Sequence, residues 1–414
     1  MADGAQVRRS EGGFAPSAGA LPPGCLKPKK GREDWEAGGF GLYVHWPFCL
    51  AKCPYCDFNS HVARAIDQRR WAGALAAEVA RAAAETPGRV LRTVFLGGGT
   101  PSLMDPDTVA AVLDAARRAW PWANDVEVTM EANPTSVEAG RFRAFREAGV
   151  NRLSLGVQAL NDADLKALGR LHSAEEAVAA HRIARAHFAR VSLDLIYARQ
   201  GQTPEAWAAE LAEALRLVDG AGHLSLYQLT VEEGTAFGDR LRAGRLRGLP
   251  DEDRAADLWD LTQRLTDDAG LPAYEVSNHA LPGEESRHNL IYWRGGDWAG
   301  VGPGAHGRLT LGGTRTGTET ERNPGRWLER VERGGSGETA REALSPQEAA
   351  EERLLMGLRL AEGIEVARLQ ALPGLPARIP PLEEMGLVAL GDGRLSATPA
   401  GRPLLNAVLR ELLA

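Results

Sequence analysis

The sequence predicts an α/β fold, an open partial (β/α)6 barrel followed by a small winged-helix-like C-terminal domain. Two patterns point to the barrel. From residue 41 short β-rich runs alternate with amphipathic helical stretches, and six such units complete before the alternation breaks down. Strands separated by helices pair in parallel through crossovers. Six units fall short of the eight that close a full barrel, so the sheet should stay open around a cleft. A third pattern, helices then a hairpin and a closing helix after Ser345, points to the second domain.

Residues 1–38 are rich in Gly, Pro, Ala and charge, with Pro22-Pro23-Gly24 and the basic run Lys27-Pro28-Lys29-Lys30-Gly31-Arg32. They show neither period and read as a flexible tail. Residues 39–310 read as the barrel and its continuation. Its strands are predicted at Gly41–Trp46, Thr93–Leu96, Asp125–Glu131, Arg152–Val157, Val191–Ile196 and His223–Thr230. Between them the spacing predicts helices over Asp67–Glu85, Pro106–Trp120, Val137–Ala148, parts of Asp162–His187, and Pro204–Val218. Helix Asp251–Ala269 follows, then a Gly-rich stretch from Arg294 to Gly307. Residues 311–344 are polar and Gly-rich and read as a linker with a short helix around Pro324–Arg333. In the last domain, residues 345–414, Ser345-Pro346 has the cap-then-proline pattern of a helix start. Strand runs flank Asp392-Gly393 as in a hairpin, and Pro399–Leu413 reads as the closing helix. This domain carries no Lys/Arg stripe, so a covering or protein-contact role is expected rather than nucleic-acid binding.

The 414 residues are 44% hydrophobic and 25% charged, ordinary for a soluble globular chain. A net charge of −7 argues against non-specific nucleic-acid binding. No run of about 18 apolar residues exists to span a membrane, which leaves only peripheral membrane contact. The first ~20 residues lack the apolar core of a secretory signal. Four cysteines are too few for a disulfide framework, so a reducing compartment, the cytoplasm, is expected.

Three of those cysteines stand together in His45-Trp46-Pro47-Phe48-Cys49-Leu50-Ala51-Lys52-Cys53-Pro54-Tyr55-Cys56-Asp57-Phe58. The CxxxCxxC spacing suits an iron–sulfur cube, because soft thiolates select iron–sulfur or zinc and each can take one corner. One iron would lack a protein ligand and stay open to a small molecule. A structural zinc site, with His45 as fourth ligand, and plain buried thiols remain alternatives on spacing alone. Cys25 stands in the tail, remote from this loop. Gly97-Gly98-Gly99-Thr100-Pro101 ends the second strand, where glycines let backbone approach a ligand closely. Glu131, Gln158, Arg170 and Asp194 fall at or beyond later strand ends, the side of such barrels that binds ligands.

With Tyr43 six residues before the first cysteine and Tyr55 just before the third, the loop resembles the signature of radical S-adenosylmethionine (SAM) enzymes. Asp57-Phe58-Asn59-Ser60-His61 narrows the resemblance to the oxygen-independent coproporphyrinogen III oxidase family, in its haem-chaperone branch. The resemblance extends over about residues 41–412. It implies a partial barrel of the radical SAM type and a [4Fe–4S] cluster on Cys49, Cys53 and Cys56. SAM would chelate the open iron, and an electron would cleave its sulfonium to a 5′-deoxyadenosyl radical. It also implies SAM contacts from Tyr43, Tyr55, Gly98, Gly99, Thr100, Glu131, Gln158, Arg170 and Asp194. An electron donor for the cluster is implied as a partner.

His288-Asn289-Leu290-Ile291-Tyr292-Trp293 looks like the haem-associated motif of the chaperone branch. It makes His288, Asn289, Tyr292 and Trp293 candidates for haem binding, since imidazole ligates haem iron and aromatic rings stack on porphyrin. Dehydrogenases of the family carry a further cysteine two residues after the third, where this chain has Phe58. The expectation is therefore a chaperone that binds haem and passes it to acceptor haemoproteins such as respiratory enzymes. The alternative is oxidative decarboxylation of coproporphyrinogen III.

Overall fold

The computed structural model describes residues 34–219 and 222–414. Cys25 and most of the expected tail lie outside them. Residues 34–38, expected at the end of that tail, instead begin with a 3-10 turn, Asp34–Ala37. The Asp34 carboxylate pairs with Arg353 and Arg368 of the C-terminal region.

Six parallel strands form where the alternation predicts them: β1 (Phe40–Trp46), β2 (Leu91–Gly98), β3 (Trp122–Ala132), β4 (Arg152–Gln158), β5 (Arg190–Tyr197) and β6 (Gly222–Gln228). Their buried runs of Leu, Val and Met suit strands covered on both faces. The crossovers also match, with two refinements. Gly140 splits the expected helix at 137–148 into Ser136–Ala139 and Phe142–Ala148, and 162–187 holds two helices, Asp162–Ala167 and Ala174–His187.

The largest departure lies after β6. The strands β7 (Asn278–Ala280), β8 (Asp297–Val301), β9 (His306–Leu311), β10 (Thr314–Thr320) and β11 (Glu338–Ala343) extend the sheet to eleven strands in the order β11-β10-β9-β8-β1-β2-β3-β4-β5-β6-β7. β8 pairs parallel with β1, and β9 to β11 continue antiparallel. The Gly-rich stretch thus holds the strand Asp297–Val301 and the start of the next at His306. A side chain at Gly300 would collide with the His306 carbonyl, so glycine there permits the close pairing. Residues 311–344 are likewise not a linker. They supply two strands and the helix Pro324–Gly334, whose Trp327 stacks on Trp71 at 5.3 Å. The sheet remains open, since no pairing joins β11 to β7 among the described residues.

After Ser345, which caps Pro346–Gly357 in a capping box, a separate apolar core gathers Leu354, Leu358, Ile364, Leu369, Leu395 and Leu409. The hairpin Val388–Gly391 and Arg394–Ala397 turns through Asp392 at positive φ. The closing helix starts at Leu405, not Pro399. A Cβ at Gly401 would overlap the Leu387 carbonyl, and the turn this permits delays the helix. No helix among the described residues is long and apolar enough to cross a membrane.

One buried charge closes the N-terminal end of the barrel. Glu127 of β3 accepts from Arg190 Nη1 at 2.5 Å and from the backbone N–H groups of Arg287 and His288 at 3.2 and 3.1 Å. It thereby holds the start of helix α1 (Arg287–Trp293). Burial would raise the Glu127 carboxyl, but Arg152 and Arg190 pull it below the usual range. Glu127→Ala leaves Arg190 with only the part-exposed Glu284 carboxylate and strips two N–H groups at the helix start of their acceptor, and should cost about 1–3 kcal/mol, read by urea unfolding. A loss below about 1 kcal/mol would show that the helix start holds without it.

Candidate metal and cofactor site

Parallel strands deliver their C-terminal ends to one side of the sheet, and the expected site residues collect there. A cavity of about 440 Å³ is lined by Cys49, Cys53, Cys56, Tyr55, Gly98, Gly99, Thr100, Glu131, Gln158, Arg170 and Asp194. Tyr43 is the exception. Its hydroxyl meets His45 Nδ1 at 2.9 Å and its ring stacks near Phe95, so it supports the loop from within the barrel.

The cysteine loop is held by backbone. Phe48–Cys49 pairs with His61–Val62, His61 N–H donates to Pro47 O at 2.7 Å, and Cys56 N–H donates to Cys53 O at 3.1 Å. The glycines of the second strand's end lock it from the side. Gly99 N–H donates to Trp46 O at 2.7 Å, and a Cβ on Gly99 would sit 2.7 Å from Phe48 O. Gly98 adopts φ +114° and donates its N–H to Glu131 Oε2 at 3.1 Å. Only glycine fits both needs cheaply.

The three cysteines are free thiols. Burial raises the thiols of Cys49 and Cys56, so without a metal they stay protonated, and a bound cation would reverse that. Among the described residues no three His, Cys, Asp or Glu side chains gather closely enough for one ion. Thiols that each take a different iron of a cube need no such convergence. His45 is not free to serve as a fourth ligand, because its other nitrogen, Nε2, contacts Asn59 O at 2.9 Å.

The cavity's polar groups are unevenly satisfied. Burial pushes the Glu131 carboxyl up to about 8, with the nearby Asp194 adding to the shift and the Gly98 N–H opposing it. Burial also raises Asp194, against hydrogen bonds from Ser225, Ser154 and Ser192. Arg170 is half-buried. Its Nη1 donates to Cys53 Sγ at 3.4 Å and its Nη2 to Asn133 Oδ1 at 2.5 Å, while its Nε has no partner. Gln158 holds a left-handed φ of 72° and keeps Oε1 buried and unpartnered. Strain and orphaned polar atoms at one place mark a site shaped for a ligand. A guanidinium beside the cysteine loop and two reluctant carboxylates deeper in suit a zwitterion that carries an extra positive charge. The residues present fit SAM and a [4Fe–4S] cluster on this ground.

Sequence reasoning missed Asn133, Ser154, Ser192 and Ser225. Asn133 had a usable signal, since it stands two residues after Glu131, just past the C-terminal end of β3.

The haem-associated motif lies elsewhere. His288 is wholly buried at the N-terminal end of the barrel. Its Nδ1 meets Thr93 Oγ1 at 2.6 Å and its Nε2 meets Tyr292 Oη at 2.6 Å. Burial pushes the imidazole down to about 3, and Phe95 stacks on it at 5.1 Å. Both nitrogens are therefore engaged, and the ring cannot reach a haem iron in this conformation. Asn289 N–H meets the helix-cap Ser286 hydroxyl, Tyr292 packs edge-on to Trp298, and Arg359 lies over Trp293. These contacts pack the helix beneath the sheet.

Comparison with known proteins agrees with this geometry. The radical SAM superfamily pattern matches residues 43–214 and the HemN C-terminal domain pattern matches residues 344–404. The chain is 40% identical over 387 residues to the bovine "Radical S-adenosyl methionine domain-containing protein 1, mitochondrial", covering 90% of this chain and 87% of that one. It is 39% identical over 378 residues to "Heme chaperone HemW" of Mycobacterium tuberculosis, covering 90% and 95% of the two chains. The Escherichia coli protein of that name is 42% identical over 272 residues, covering 65% and 70%. The crystallised coproporphyrinogen III oxidase (HemN) of Escherichia coli, described as a radical SAM enzyme, superposes with a TM-score of 0.76 over 91% of this chain and 90% of that one. At 22% identity that likeness speaks for the fold.

Proposed function

We propose a function from one premise: this chain belongs to the radical SAM superfamily and, within it, to the HemW-type group of the oxygen-independent coproporphyrinogen III oxidase-like family. The family implies SAM and a [4Fe–4S] cluster. In our reading Cys49, Cys53 and Cys56 hold the cluster, and Arg170 faces the SAM carboxylate. Glu131 and Asp194 accept from its hydroxyl or ammonium groups, and Gly98 and Gly99 let the backbone come close. Reduced and loaded with SAM, such a cluster supplies a 5′-deoxyadenosyl radical. The residues of this chain bind, orient and shield.

The function we infer is a haem chaperone of the cytoplasm, which binds haem and delivers it to acceptor haemoproteins such as respiratory enzymes. An electron donor would serve the cluster. The observation that carries this reading is Phe58. It stands where the dehydrogenases are expected to keep a further cysteine, and it is 59% exposed at the cavity mouth. Leu50 and Leu171, 54% and 68% exposed, line the same mouth. Apolar side chains this open give a flat macrocycle a surface to cover.

Purified anaerobically with its cluster restored, the protein should bind haem and leave coproporphyrinogen III unconverted in the presence of SAM and reductant. Formation of protoporphyrinogen IX would replace the chaperone reading with the dehydrogenase. The haem spectrum should be unaltered by His288→Ala in protein that stays folded. A shifted Soret band there would return the imidazole to the iron.

A further inference from the structure

Two cysteine sulfurs are joined by a continuous run of hydrogen bonds that passes through no other cysteine. Arg170 Nη1 donates to Cys53 Sγ at 3.4 Å, and its Nη2 donates to Asn133 Oδ1 at 2.5 Å and to Gly156 O at 2.9 Å. Asn133 Nδ2 then donates to Thr100 Oγ1 at 3.3 Å, and Thr100 Oγ1 donates to Cys49 Sγ at 3.4 Å. The third sulfur, on Cys56, lies outside this run, with the Phe58 backbone N–H and the Ser60 hydroxyl, at 3.8 Å, turned towards it.

The direction of each bond follows from its neighbours. A guanidinium only donates, so Asn133 must turn its carbonyl oxygen to Arg170 and its NH₂ to Thr100. Glu138 holds that orientation by accepting from Asn133 N–H at 3.0 Å and from Nδ2 at 3.5 Å. With an Asn133 donor on its oxygen, the Thr100 hydroxyl turns its own proton to sulfur. Thr100 is buried and tied to the loop through its N–H to Phe48 O at 2.8 Å, which fixes the hydroxyl beside the sulfur.

We propose that Arg170, Asn133 and Thr100 form an arch that raises the reduction potential of a cluster held on Cys49 and Cys53, with Asn133 positioning both sulfur donors. The proposal rests on the cluster reading above. Reduction adds one electron to the cluster, and part of that charge resides on the thiolate sulfurs. Donors aimed at those sulfurs stabilise the reduced form more than the oxidised one. Thr100 and Arg170 act on sulfur directly. Asn133 touches neither sulfur and acts by keeping the other two aimed.

The test is a dithionite titration of the reconstituted full chain, followed by electron paramagnetic resonance without SAM. Thr100→Val and Asn133→Ala should each shift the midpoint to more negative values, with iron and sulfide content unchanged. Thr100→Ser should restore the wild-type midpoint, because the hydroxyl rather than the methyl is at issue. A purely packing role for Asn133 would alter loading or stability and leave the midpoint in place. Unmoved midpoints in fully loaded Thr100→Val and Asn133→Ala would overturn the arch. If Thr100→Val fails to load, Asn133→Ala decides alone, since it keeps every ligand and both donors. A wild type that takes up no cluster would remove the proposed function along with the arch. A loaded wild type with unmoved variants removes only the arch.

Discussion

Cys49→Ser, Cys53→Ser and Cys56→Ser should each lose the [4Fe–4S] cluster almost completely, while Cys25→Ser keeps it. The three cysteines fall within one loop whose course is set by the Phe48–Cys49 pairing with His61–Val62 and by the Gly99 N–H to Trp46 O. A cube on three thiolates has no spare protein ligand, and serine oxygen is a harder donor that iron–sulfur sites accept poorly. His45 cannot step in, because Tyr43 and Asn59 occupy its nitrogens. Iron and sulfide quantitation after anaerobic reconstitution measures the outcome. Retention of the cluster in any of the three loop variants would refute the ligand set. Its loss in Cys25→Ser would bring the fourth cysteine into it.

The parts of the fold that sequence makes legible are those where burial and period coincide. Strands β1 to β6 carry apolar runs long enough for a sheet covered on both faces, and caps such as Ser345 mark helix starts directly. Where glycine replaces side chains the signal fails. Asp297–Val301 is a fully buried strand, yet Gly300 within it and Gly295 and Gly296 before it leave no apolar pattern to read, because backbone approaches closely there. β10 carries Thr at every second position, and its buried Arg315 is satisfied by Asp297 and Glu352, partners that sequence does not reveal.

The site divides in the same way. Cys49, Gly98, Glu131 and Asp194 are legible because strand ends gather at one face of such a sheet. For His288 the chain pattern shows an imidazole beside aromatic residues, but not that Thr93 and Tyr292 already contact its two nitrogens.

Glu131→Gln should reduce the pH dependence of both SAM affinity and ligand-free stability below about pH 8. The Glu131 carboxyl sits near 8 in the folded protein, against an ordinary 4.5. What remains exposed of it faces the cavity rather than open solvent. Below the ordinary value both folded and unfolded chains hold the proton, and its contribution to stability is fully present. As pH rises towards 8 the unfolded chain ionises first, so ligand-free stability falls. Each tenfold change in proton affinity is worth about 1.4 kcal/mol, and water in the cavity reduces the total to a few kcal/mol. Binding runs the other way. A cationic ligand favours the carboxylate, so SAM affinity should climb between about pH 5 and pH 8 as less of the binding energy goes to expelling the proton. Glutamine keeps an oxygen for the Gly98 N–H but has no proton to lose. It should weaken SAM by about 1.5–3 kcal/mol at the high-pH end, the range for a hydrogen bond to a charged group. Asp194, raised in the same direction, leaves a residual slope. Calorimetric titration and thermal unfolding across this pH range measure both effects. Parallel slopes in wild type and Glu131→Gln would show that the proton resides elsewhere.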